Sequence, residues 1–312
     1  MDIVLLFPGQ GSQKPGMAKD LVEAYPAARE LFASVDRALG TPLSTLCFDG
    51  PAEELTLTHN AQPALLTHGL AVWSVVRDRL APHVRAAAGH SLGEFTAYGA
   101  AGALTPTAAA KLVRRRGELM YEAGVRRPGA MAAVLGNLST PIDTLCERAT
   151  REAGTVVPAN YNSAEQVVVS GEVAGVDRAM ELVKEAGAKR AVKLNVSGAF
   201  HSPLMEFAQP GLDEALRASA MRAPAFPVVS NVTAGPVMFA EDAQTLLLRQ
   251  LTSPVRWTDV VDYLAGQYPS ALFVEMGPGN VLTGLVKRIA PSVATATCGT
   301  AAEVEALLAR IA

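Results

Sequence analysis

A serine framed by glycines is the residue of this sequence whose surroundings best suit nucleophilic chemistry. The pentapeptide Gly89-His90-Ser91-Leu92-Gly93 follows a short apolar run and precedes a helical pattern, so it predicts a sharp turn from strand to helix. Its glycines lack the Cβ atoms that would crowd such a turn, which leaves the Ser91 hydroxyl free to attack. The helix that follows would direct backbone N–H groups at an oxygen that becomes negative. The alternative is an ordinary serine in a tight turn.

A serine nucleophile needs a base, and His201 is the candidate. Ser202 and Pro203 follow it and are typical of the N-cap and first residue of a helix. His201 therefore lies on a loop, between a predicted small domain and the return of the chain to the large one, where a cleft is expected. No carboxylate that could complete a triad is evident between Ser91 and His201. Three other histidines are interpreted as structural or exposed: His59, His68 and His83.

A glycine-rich loop, Pro8-Gly9-Gln10-Gly11-Ser12-Gln13, follows an apolar run at Ile3–Phe7. It therefore lies at the carboxyl edge of a predicted sheet, where open α/β sheets place their ligands. The Lys-Ser/Thr pair of a P-loop and the G-x-G-x-x-G spacing are both missing, which argues against a phosphate site. Glycines on both sides of Gln10 suit a backbone N–H that binds an oxyanion near Ser91. The alternative is a flexible turn.

Three consecutive arginines, Arg114, Arg115 and Arg116, lie on a helix predicted to begin after Thr105 and to end near Glu122. Neighbouring residues on a helix are turned about 100° apart, so the three cannot share one face. One of them can point inward while others meet solvent. The alternative is a solvated basic face.

Bulk composition excludes several function classes. With 312 residues, 49% of them hydrophobic, the chain can bury a large core and exceeds the usual size of one domain. The net charge of −3 argues against a nucleic-acid partner. The spacing of Cys47, Cys146 and Cys298 argues against disulfides or zinc and for reduced, mostly buried thiols in a cytoplasmic protein. No run approaches about 18 apolar residues, so we expect neither a signal peptide nor a membrane span.

Alternating strand and helix patterns predict an α/β fold. The run at Ile3–Phe7 is typical of a strand buried on both faces of a parallel sheet, and residues 271–275 show a similar pattern. Scaffold helices are predicted at 26–39, 60–80 and 244–251.

A second rhythm, β-α-β-β-α-β, occupies the middle of the chain and is the order of a ferredoxin-like unit. Its predicted elements span 130–135, 140–153, 155–159, 166–170, 173–186 and 189–194. We therefore expect a small inserted domain at 128–196 and a large domain formed by 1–127 and 197–312.

Taken together, the motifs resemble those of the malonyl-CoA:acyl carrier protein transacylases of bacterial fatty acid synthesis, a family related to the acyltransferase domains of polyketide synthases. The resemblance covers nearly the whole chain, and several blocks in one order are far more specific than any one of them. The blocks are Phe7-Pro8-Gly9-Gln10-Gly11-Ser12-Gln13, Gly89-His90-Ser91-Leu92-Gly93-Glu94, Arg116-Gly117, Asn160-Tyr161-Asn162-Ser163, Gly198-Ala199-Phe200-His201-Ser202, Gln250 with Pro254-Val255-Arg256-Trp257, and Glu275-Met276-Gly277-Pro278-Gly279.

The resemblance implies an α/β-hydrolase-like large domain and a role for each matching residue. Ser91 would be the nucleophile and His201 the general base. The backbone N–H groups of Gln10 and Leu92 would form the oxyanion hole, and Arg116 would bind the malonyl carboxylate.

The resemblance also implies supporting residues. The backbone carbonyl of Gln250 would orient the histidine, which would explain the missing triad carboxylate. The ring of Phe200 would leave little room for an α-methyl branch on the acyl group. The pocket would be lined by His90, Met120, Asn160 and Asn162.

The activity implied is S-malonyl transfer by a ping-pong mechanism through a malonyl-Ser91 ester. The partners would be malonyl-CoA and a holo acyl carrier protein whose phosphopantetheine supplies the acceptor thiol. No resident cofactor and no metal are expected, and the protein is expected to be a monomer. An acidic carrier would dock on basic residues of the small domain, although scattered solubilising charges explain them as well: Lys184, Lys189, Arg190 and Lys193.

Other activities share parts of this pattern. A serine thioesterase or lipase would normally need an acid after the serine and has no use for Arg116. A malonyl transferase subunit of a malonate decarboxylase, or a trans-acting polyketide acyltransferase, would run the same chemistry on another carrier. A non-catalytic carrier-docking module would not need an intact Ser91 and His201.

Overall fold

The computed structural model describes residues 1–311, which form two lobes, each built on its own sheet. The strands are β1 (Ile3–Phe7), β2 (Val84–Gly89), β3 (Gly129–Leu135), β4 (Val156–Ser163), β5 (Gln166–Glu172), β6 (Arg190–Lys193), β7 (Val228–Val229), β8 (Pro236–Val237), β9 (Leu272–Met276) and β10 (Ala294–Cys298). The α-helices are α1 (Lys19–Ala24), α2 (Pro26–Leu39), α3 (Leu43–Asp49), α4 (Ala52–Thr56), α5 (Thr58–Leu80), α6 (Leu92–Ala100), α7 (Pro106–Arg126), α8 (Ile142–Glu152), α9 (Val173–Glu185), α10 (Gln209–Ala218), α11 (Ala240–Gln250), α12 (Trp257–Gln267), α13 (Val281–Ile289) and α14 (Ala301–Ile311).

The larger lobe contains a six-stranded sheet in the order β10-β9-β1-β2-β7-β8. All neighbouring pairs are parallel except β7 with β8. In the central pair, Phe7 lies opposite Gly89, so β1 and β2 end side by side. The loop that carries Gln10 and the turn that carries Ser91 therefore leave the sheet at the same edge, as parallel pairing requires.

The central strand β1 is buried on both faces, as its continuous apolar run predicts. Ile3, Leu5 and Phe7 pack into one hydrophobic cluster, and Val4 and Leu6 pack into a second cluster on the opposite face. Since side chains alternate along a strand, this run can fill both layers at once. The two layers hold β1 and β2 rigidly beneath the edge where the candidate residues lie.

The smaller lobe contains the antiparallel sheet β4-β5-β3-β6. The chain runs β3, α8, β4, β5, α9, β6, which is the predicted order of elements. Both helices contribute buried residues, such as Leu145 and Leu182, to a core shared with β3, β4 and β5. The lobes are joined by backbone hydrogen bonds between β4 and the segment before α12, from Tyr161 N to Val255 O at 2.9 Å and from Val255 N to Ala159 O at 2.8 Å.

Most predicted element boundaries are confirmed within a few residues. Helix α2 spans the predicted range, and the Thr105 hydroxyl caps α7 by accepting from Ala108 N at 3.2 Å. Helix α7 continues to Arg126, beyond the predicted end. After His201, Ser202 caps a short 3-10 helix, Pro203–Ala208, and the α-helix begins only at Gln209.

None of the helices in residues 1–311 combines the length and apolar character needed to cross a membrane.

Candidate active site

The turn between β2 and α6 presents Ser91 in a strained backbone conformation. The φ angle of Ser91 is 51°, in the left-handed region that non-glycine residues rarely adopt. A Cβ at residue 89 would lie 1.9 Å from the carbonyl carbon of Gly93, and a Cβ at Gly93 would lie 2.0 Å from Phe7 O. Glycine at both positions therefore lets the chain turn tightly against β1. The Ser91 N–H donates to Asn231 Oδ1 at 2.7 Å, which holds the turn.

His201 contacts the Ser91 hydroxyl directly. Its Nε2 lies 2.8 Å from Ser91 Oγ, and its Nδ1 lies 2.9 Å from Gln250 O and 3.2 Å from Ser253 O. Carbonyl oxygens only accept, so Nδ1 carries the proton and Nε2 is free to accept one from the serine. Burial, followed by the charge of Arg116, lowers the pKa of His201 to about 3, so the imidazole is neutral at physiological pH.

The three consecutive arginines differ in burial, and only Arg116 is fully buried. Arg115 is exposed and pairs with Glu118 and Glu122. Arg114 is half-buried and donates to Asn60 Oδ1 at 2.6 Å. The side chain of Arg116 is only 1% exposed and points to Ser91. The structure thereby decides which of the three enters the site.

The guanidinium of Arg116 is held by neutral groups. Nη1 donates to Gln62 Oε1 at 2.8 Å, and Nη2 donates to Gln250 Oε1 at 2.9 Å and to Ser91 Oγ at 3.2 Å. The ring of Phe95 lies 5.1 Å from Cζ, within the range of a cation–π contact. Burial lowers the pKa of Arg116 to about 10, so it stays charged at neutral pH. The result is a buried cation beside the nucleophile with no carboxylate in direct contact among residues 1–311.

Two residues with free backbone N–H groups line the cavity from different elements. Gln10 follows β1, and Leu92 is the first residue of α6. Both residues line the cavity that contains Ser91. Within residues 1–311 neither N–H donates to a protein acceptor, whereas the side chain of Gln10 is fixed by the hydroxyl of Thr58 at 2.8 Å. This pair can stabilise an oxyanion formed at a carbonyl bonded to Ser91 Oγ.

The cavity over Ser91 has a volume of about 300 Å³ and lies between the lobes. Nine of the predicted site residues line it: Gln10, His90, Ser91, Leu92, Arg116, Met120, Asn160, Phe200 and His201. Met131, Leu194 and Val196 of the smaller lobe and its exit segment add apolar surface.

Two predicted site residues lie behind this lining. Asn162 was predicted to line the pocket, but its Oδ1 accepts a hydrogen bond from His90 Nε2 at 2.8 Å and it is absent from the cavity wall. Residues two apart on a regular strand share a face, but the pairing of β4 with β5 is irregular between Tyr161 and Ser163, so Asn162 does not follow Asn160 into the cavity wall. Gln250 also lies outside the wall and acts on His201 through its carbonyl, as predicted.

Sequence reasoning missed three buried polar residues of the site: Gln62, which lines the cavity, and Glu94 and Asn231, which lie behind it. Glu94 is fully buried, and its Oε2 accepts from Gln250 Nε2 at 2.6 Å and from Asn231 N at 3.1 Å. It is the only charged residue of α6, and a single carboxylate in an apolar helix was the available signal. Nothing in the sequence distinguishes Gln62 or Asn231 from ordinary polar residues.

This geometry defines a class of protein. A serine at a strand-to-helix turn, a neutral histidine on its hydroxyl and two free N–H groups are the parts of an enzyme that transfers acyl groups through a serine ester. The buried guanidinium beside the serine indicates an acyl group that carries its own anion.

Comparison with known proteins gives the family. Residues 4–307 match the family model described as the acyl transferase domain, so the chain belongs to that family. A malonyl CoA-acyl carrier protein transacylase of Bacillus subtilis (strain 168) is 47% identical over 288 residues, which cover 92% of this chain and 90% of that protein. One of Escherichia coli (strain K12) is 44% identical over 284 residues, 91% of each chain.

Solved structures agree with these relatives. The crystal structure of an acyl-carrier-protein S-malonyltransferase from Bartonella henselae superposes with a TM-score of 0.94 at 41% identity, covering 100% of this chain and 99% of that one. A malonyl-transacylase solved in complex with a type II PKS acyl-carrier protein also gives a TM-score of 0.94, at 40% identity, covering 99% of this chain and 100% of that one. The chain is thus similar over its whole length to transacylases that use acyl carrier proteins.

Proposed function

We propose that this protein is a malonyl-CoA:acyl carrier protein transacylase, which moves a malonyl group from coenzyme A to the phosphopantetheine thiol of a holo acyl carrier protein. One observation carries the malonyl assignment. Nη2 of the buried Arg116 guanidinium lies only 3.2 Å from Ser91 Oγ. It is therefore within reach of the carboxylate of a malonyl group esterified to Ser91. The similarity to malonyl CoA-acyl carrier protein transacylases supports malonyl-CoA as the donor and an acyl carrier protein as the acceptor.

The first half-reaction forms a serine ester. Ser91 Oγ attacks the thioester carbonyl while its proton moves to His201 Nε2, 2.8 Å away. The tetrahedral intermediate then collapses, the C–S bond breaks, and His201 returns the proton to the sulfur of coenzyme A. In the second half-reaction the carrier thiol attacks the ester and the same proton transfers run in reverse.

The oxyanion of each tetrahedral intermediate is bound by the N–H groups of Gln10 and Leu92. A fixed donor of this kind contributes about 2.7–4 kcal/mol of transition-state stabilisation in comparable enzymes. The hydrogen bonds that fix the side chain of Gln10 and the backbone of Ser91 keep both donors in place before substrate arrives.

Arg116 favours malonyl over acetyl groups. Its planar guanidinium can form two parallel hydrogen bonds with the malonyl carboxylate, replacing the contacts to Gln250 and Ser91. With the carboxylate bound and water displaced from the cavity, the ester persists until a thiol arrives, which favours transfer over hydrolysis. Phe200, only 6% exposed, narrows the pocket and disfavours an α-methyl branch.

We also propose the domain organisation that places this site in a cleft. Residues 1–127 and 197–312 form an α/β-hydrolase-like domain, supported by the mainly parallel sheet and the turn at Ser91, with Ala312 outside the described residues. Residues 128–196 form a ferredoxin-like domain, supported by the strand order β4-β5-β3-β6 and its two helices.

The remaining features of the proposal concern partners and setting. The reaction uses only groups of this chain, a thioester donor and a thiol acceptor, so we propose that it needs no resident cofactor. The site is complete within one chain, which supports a monomer as the functional unit. The three buried thiols suit the reducing cytoplasm, where we place the reaction. For the carrier, Lys189 and Arg190 are exposed at the start of the edge strand β6, whereas Lys193 is paired with Asp177.

Intact-mass spectrometry tests the proposal. After brief mixing with malonyl-CoA, the protein should gain one malonyl unit, and a holo carrier protein should remove it and become malonylated. The Ser91→Ala variant should gain nothing, and an apo carrier without phosphopantetheine should leave the label in place. Loss of the label to water at the same rate with and without carrier would support a thioesterase instead. A stable label that only another type of carrier accepts would support a different pathway.

A further inference from the structure

Within residues 1–311 no carboxylate contacts the guanidinium of Arg116, although this group is fully buried. Its hydrogen-bond acceptors are the amide oxygens of Gln62 and Gln250 and the hydroxyl of Ser91, all uncharged. A buried charge is unfavourable unless an opposite charge lies close to it. Some other group must balance the charge of Arg116 while the site contains no malonyl carboxylate.

The Gln250 side chain connects this cation to a carboxylate. Its Oε1 accepts from Arg116 Nη2 at 2.9 Å, and its Nε2 donates to Glu94 Oε2 at 2.6 Å and to Ser91 O at 3.0 Å. A carboxylate and a carbonyl oxygen can only accept, so the amide has one possible orientation. The dipole of the amide therefore points its positive end to Glu94 and its negative end to Arg116.

The carboxylate of Glu94 accepts hydrogen bonds on only one of its two oxygens. Oε2 accepts two hydrogen bonds, whereas the buried Oε1 has no partner of hydrogen-bond geometry within residues 1–311, and the nearby Ser230 side chain also favours the charged form of Glu94 by lowering its pKa. Such an arrangement is unusual for a carboxylate that serves only to brace a helix. Glu275, also fully buried, shows the difference, because its two oxygens accept from Leu282 N and Thr283 N and cap α13.

We propose that Glu94 is the internal counter-ion of Arg116, acting through the Gln250 amide, and that it tunes the selectivity of the enzyme for malonyl groups. This inference rests on the proposed function. In the empty or acetylated enzyme, ionised Glu94 balances Arg116. When a malonyl carboxylate binds Arg116, the two anions compete for one cation, and Glu94 takes up a proton. Glu94 is thus a positioning and specificity residue that touches no substrate.

Among the titratable groups near Arg116 described below, Glu94 is the one whose pKa lies near neutral pH. Burial raises the pKa of Glu94 to about 7, against the opposing effects of its hydrogen bonds and of Arg116. The pKa of Tyr98, on the same helix, lies well above 10.0, that of Arg116 on α7 is about 10, and that of His201 is about 3. His90, after β2, has a pKa lowered from 6.5 by desolvation. The charge of Asp242 on α11 contributes to the raised pKa of Tyr98.

The sign of the pH effect follows from this competition. Below the pKa of Glu94 the carboxyl is neutral and does not oppose a malonyl carboxylate. Above that pKa it is ionised and opposes the malonyl group but not the uncharged acetyl group. Dividing kcat/KM for malonyl-CoA by kcat/KM for acetyl-CoA removes pH effects common to both reactions. This ratio should fall roughly three- to tenfold between about pH 6 and pH 9.

The Glu94→Gln variant isolates the charge, because glutamine keeps the shape and one acceptor for Gln250 and Asn231. Its malonyl-to-acetyl ratio should not vary with pH and should match the wild-type ratio at low pH. The matched control is Glu275→Gln, which alters a buried glutamate outside the site and should keep the wild-type pH dependence. A Glu94→Gln ratio that falls with pH as in the wild type would overturn the proposal.

A second measurement uses the unmodified enzyme and so does not depend on the variant folding. Malonyl transfer to Ser91 releases no net proton near neutral pH, because coenzyme A leaves as a thiol. A pH indicator should therefore report uptake of about half a proton per malonyl-enzyme at pH 7, and none on acetylation. Malonylation without proton uptake would refute the role of Glu94, whereas an enzyme that forms no malonyl ester would refute the proposed function itself.

Discussion

At the scale of residues, the base of this site is oriented by main-chain carbonyls where many serine enzymes use a carboxylate. Nδ1 of His201 faces the carbonyls of Gln250 and Ser253, and Arg116 lies close enough to lower the imidazole pKa. Burial and the charge of Arg116 keep His201 neutral, and the lack of a carboxylate in direct contact within residues 1–311 leaves Arg116 free to bind the anion of a substrate. The two requirements are thus met by one arrangement.

Replacing Arg116 by alanine should abolish the preference for malonyl groups. Removing one partner of a buried charge pair costs about 2–5 kcal/mol, so kcat/KM for malonyl-CoA should fall by at least about 30-fold. The acetyl-CoA reaction, which does not use the guanidinium, should change much less. The control is Arg115→Ala on the same helix, whose side chain is exposed and pairs with Glu118 and Glu122. Equal losses on both thioesters would contradict the role of Arg116.

The rate of acylation should not fall on the acid side of pH 6.5, as it would if His201 had the pKa of an ordinary histidine. Because the pKa of His201 is lowered to about 3, the imidazole remains a competent base as pH falls through 6.5. Rates of serine acetylation from acetyl-CoA should therefore stay nearly constant down to about pH 5, provided that circular dichroism shows the protein to be folded. An acid limb with a midpoint near pH 6.5 would show that the histidine is not held in this environment.

At the scale of elements, the site depends on how closely the turn after β2 approaches the end of β1. The His90 N–H donates to Phe7 O at 3.0 Å, and Gly93 lies against the same carbonyl. Gln10 follows β1 and Leu92 follows the turn, so this contact limits how their N–H groups can lie relative to each other. The geometry of the proposed oxyanion hole therefore depends on two adjacent parallel strands.

A single methyl group at Gly93 should disrupt this geometry. In Gly93→Ala the new Cβ would lie 2.0 Å from Phe7 O, so the turn must move away from β1. We expect a loss of about 100-fold or more in transacylase activity and a lower melting temperature. Gly266→Ala is the control, because this helical glycine of α12 has no atom within 4 Å of an added Cβ. Wild-type activity in Gly93→Ala would refute the close approach.

At the scale of the whole molecule, two lobes enclose the cavity over Ser91. The hydrogen bonds between Val255 and β4 join the lobes beside Asn160, which itself lines the cavity. The cysteines are distributed over both lobes. Cys47 and Cys298 belong to the large lobe and Cys146 to the small one.

Thiol titration should report the integrity of both lobes. Cys47, Cys146 and Cys298 are at most 2% exposed, and burial raises the pKa of each to about 12. A thiol reagent such as Ellman's reagent should therefore react negligibly with the native protein and with three thiols after denaturation. Fast reaction of one thiol in the native protein would show that the corresponding lobe opens.

The local sequence determined much of this protein. Apolar runs and glycine positions predicted the strand at Ile3–Phe7, the turn at Ser91 and the cap at Thr105, because these features depend on contacts within a few residues. The resemblance of separate motifs to a known family supplied the roles of Ser91, His201 and Arg116. The 3-10 helix after Ser202 escaped prediction, since helix type depends on packing against neighbours.

Tertiary structure decided what local patterns could not. Helix geometry alone left open which of the three arginines enters the site, and the packing of α7 shows that Arg116 points to Ser91, as the resemblance implied. The link from Glu94 through the Gln250 side chain joins residues 156 positions apart, and no local periodicity encodes such a contact. The physical reason is that strand and turn propensities act over short spans, whereas the burial and pairing of polar side chains depend on how distant segments pack.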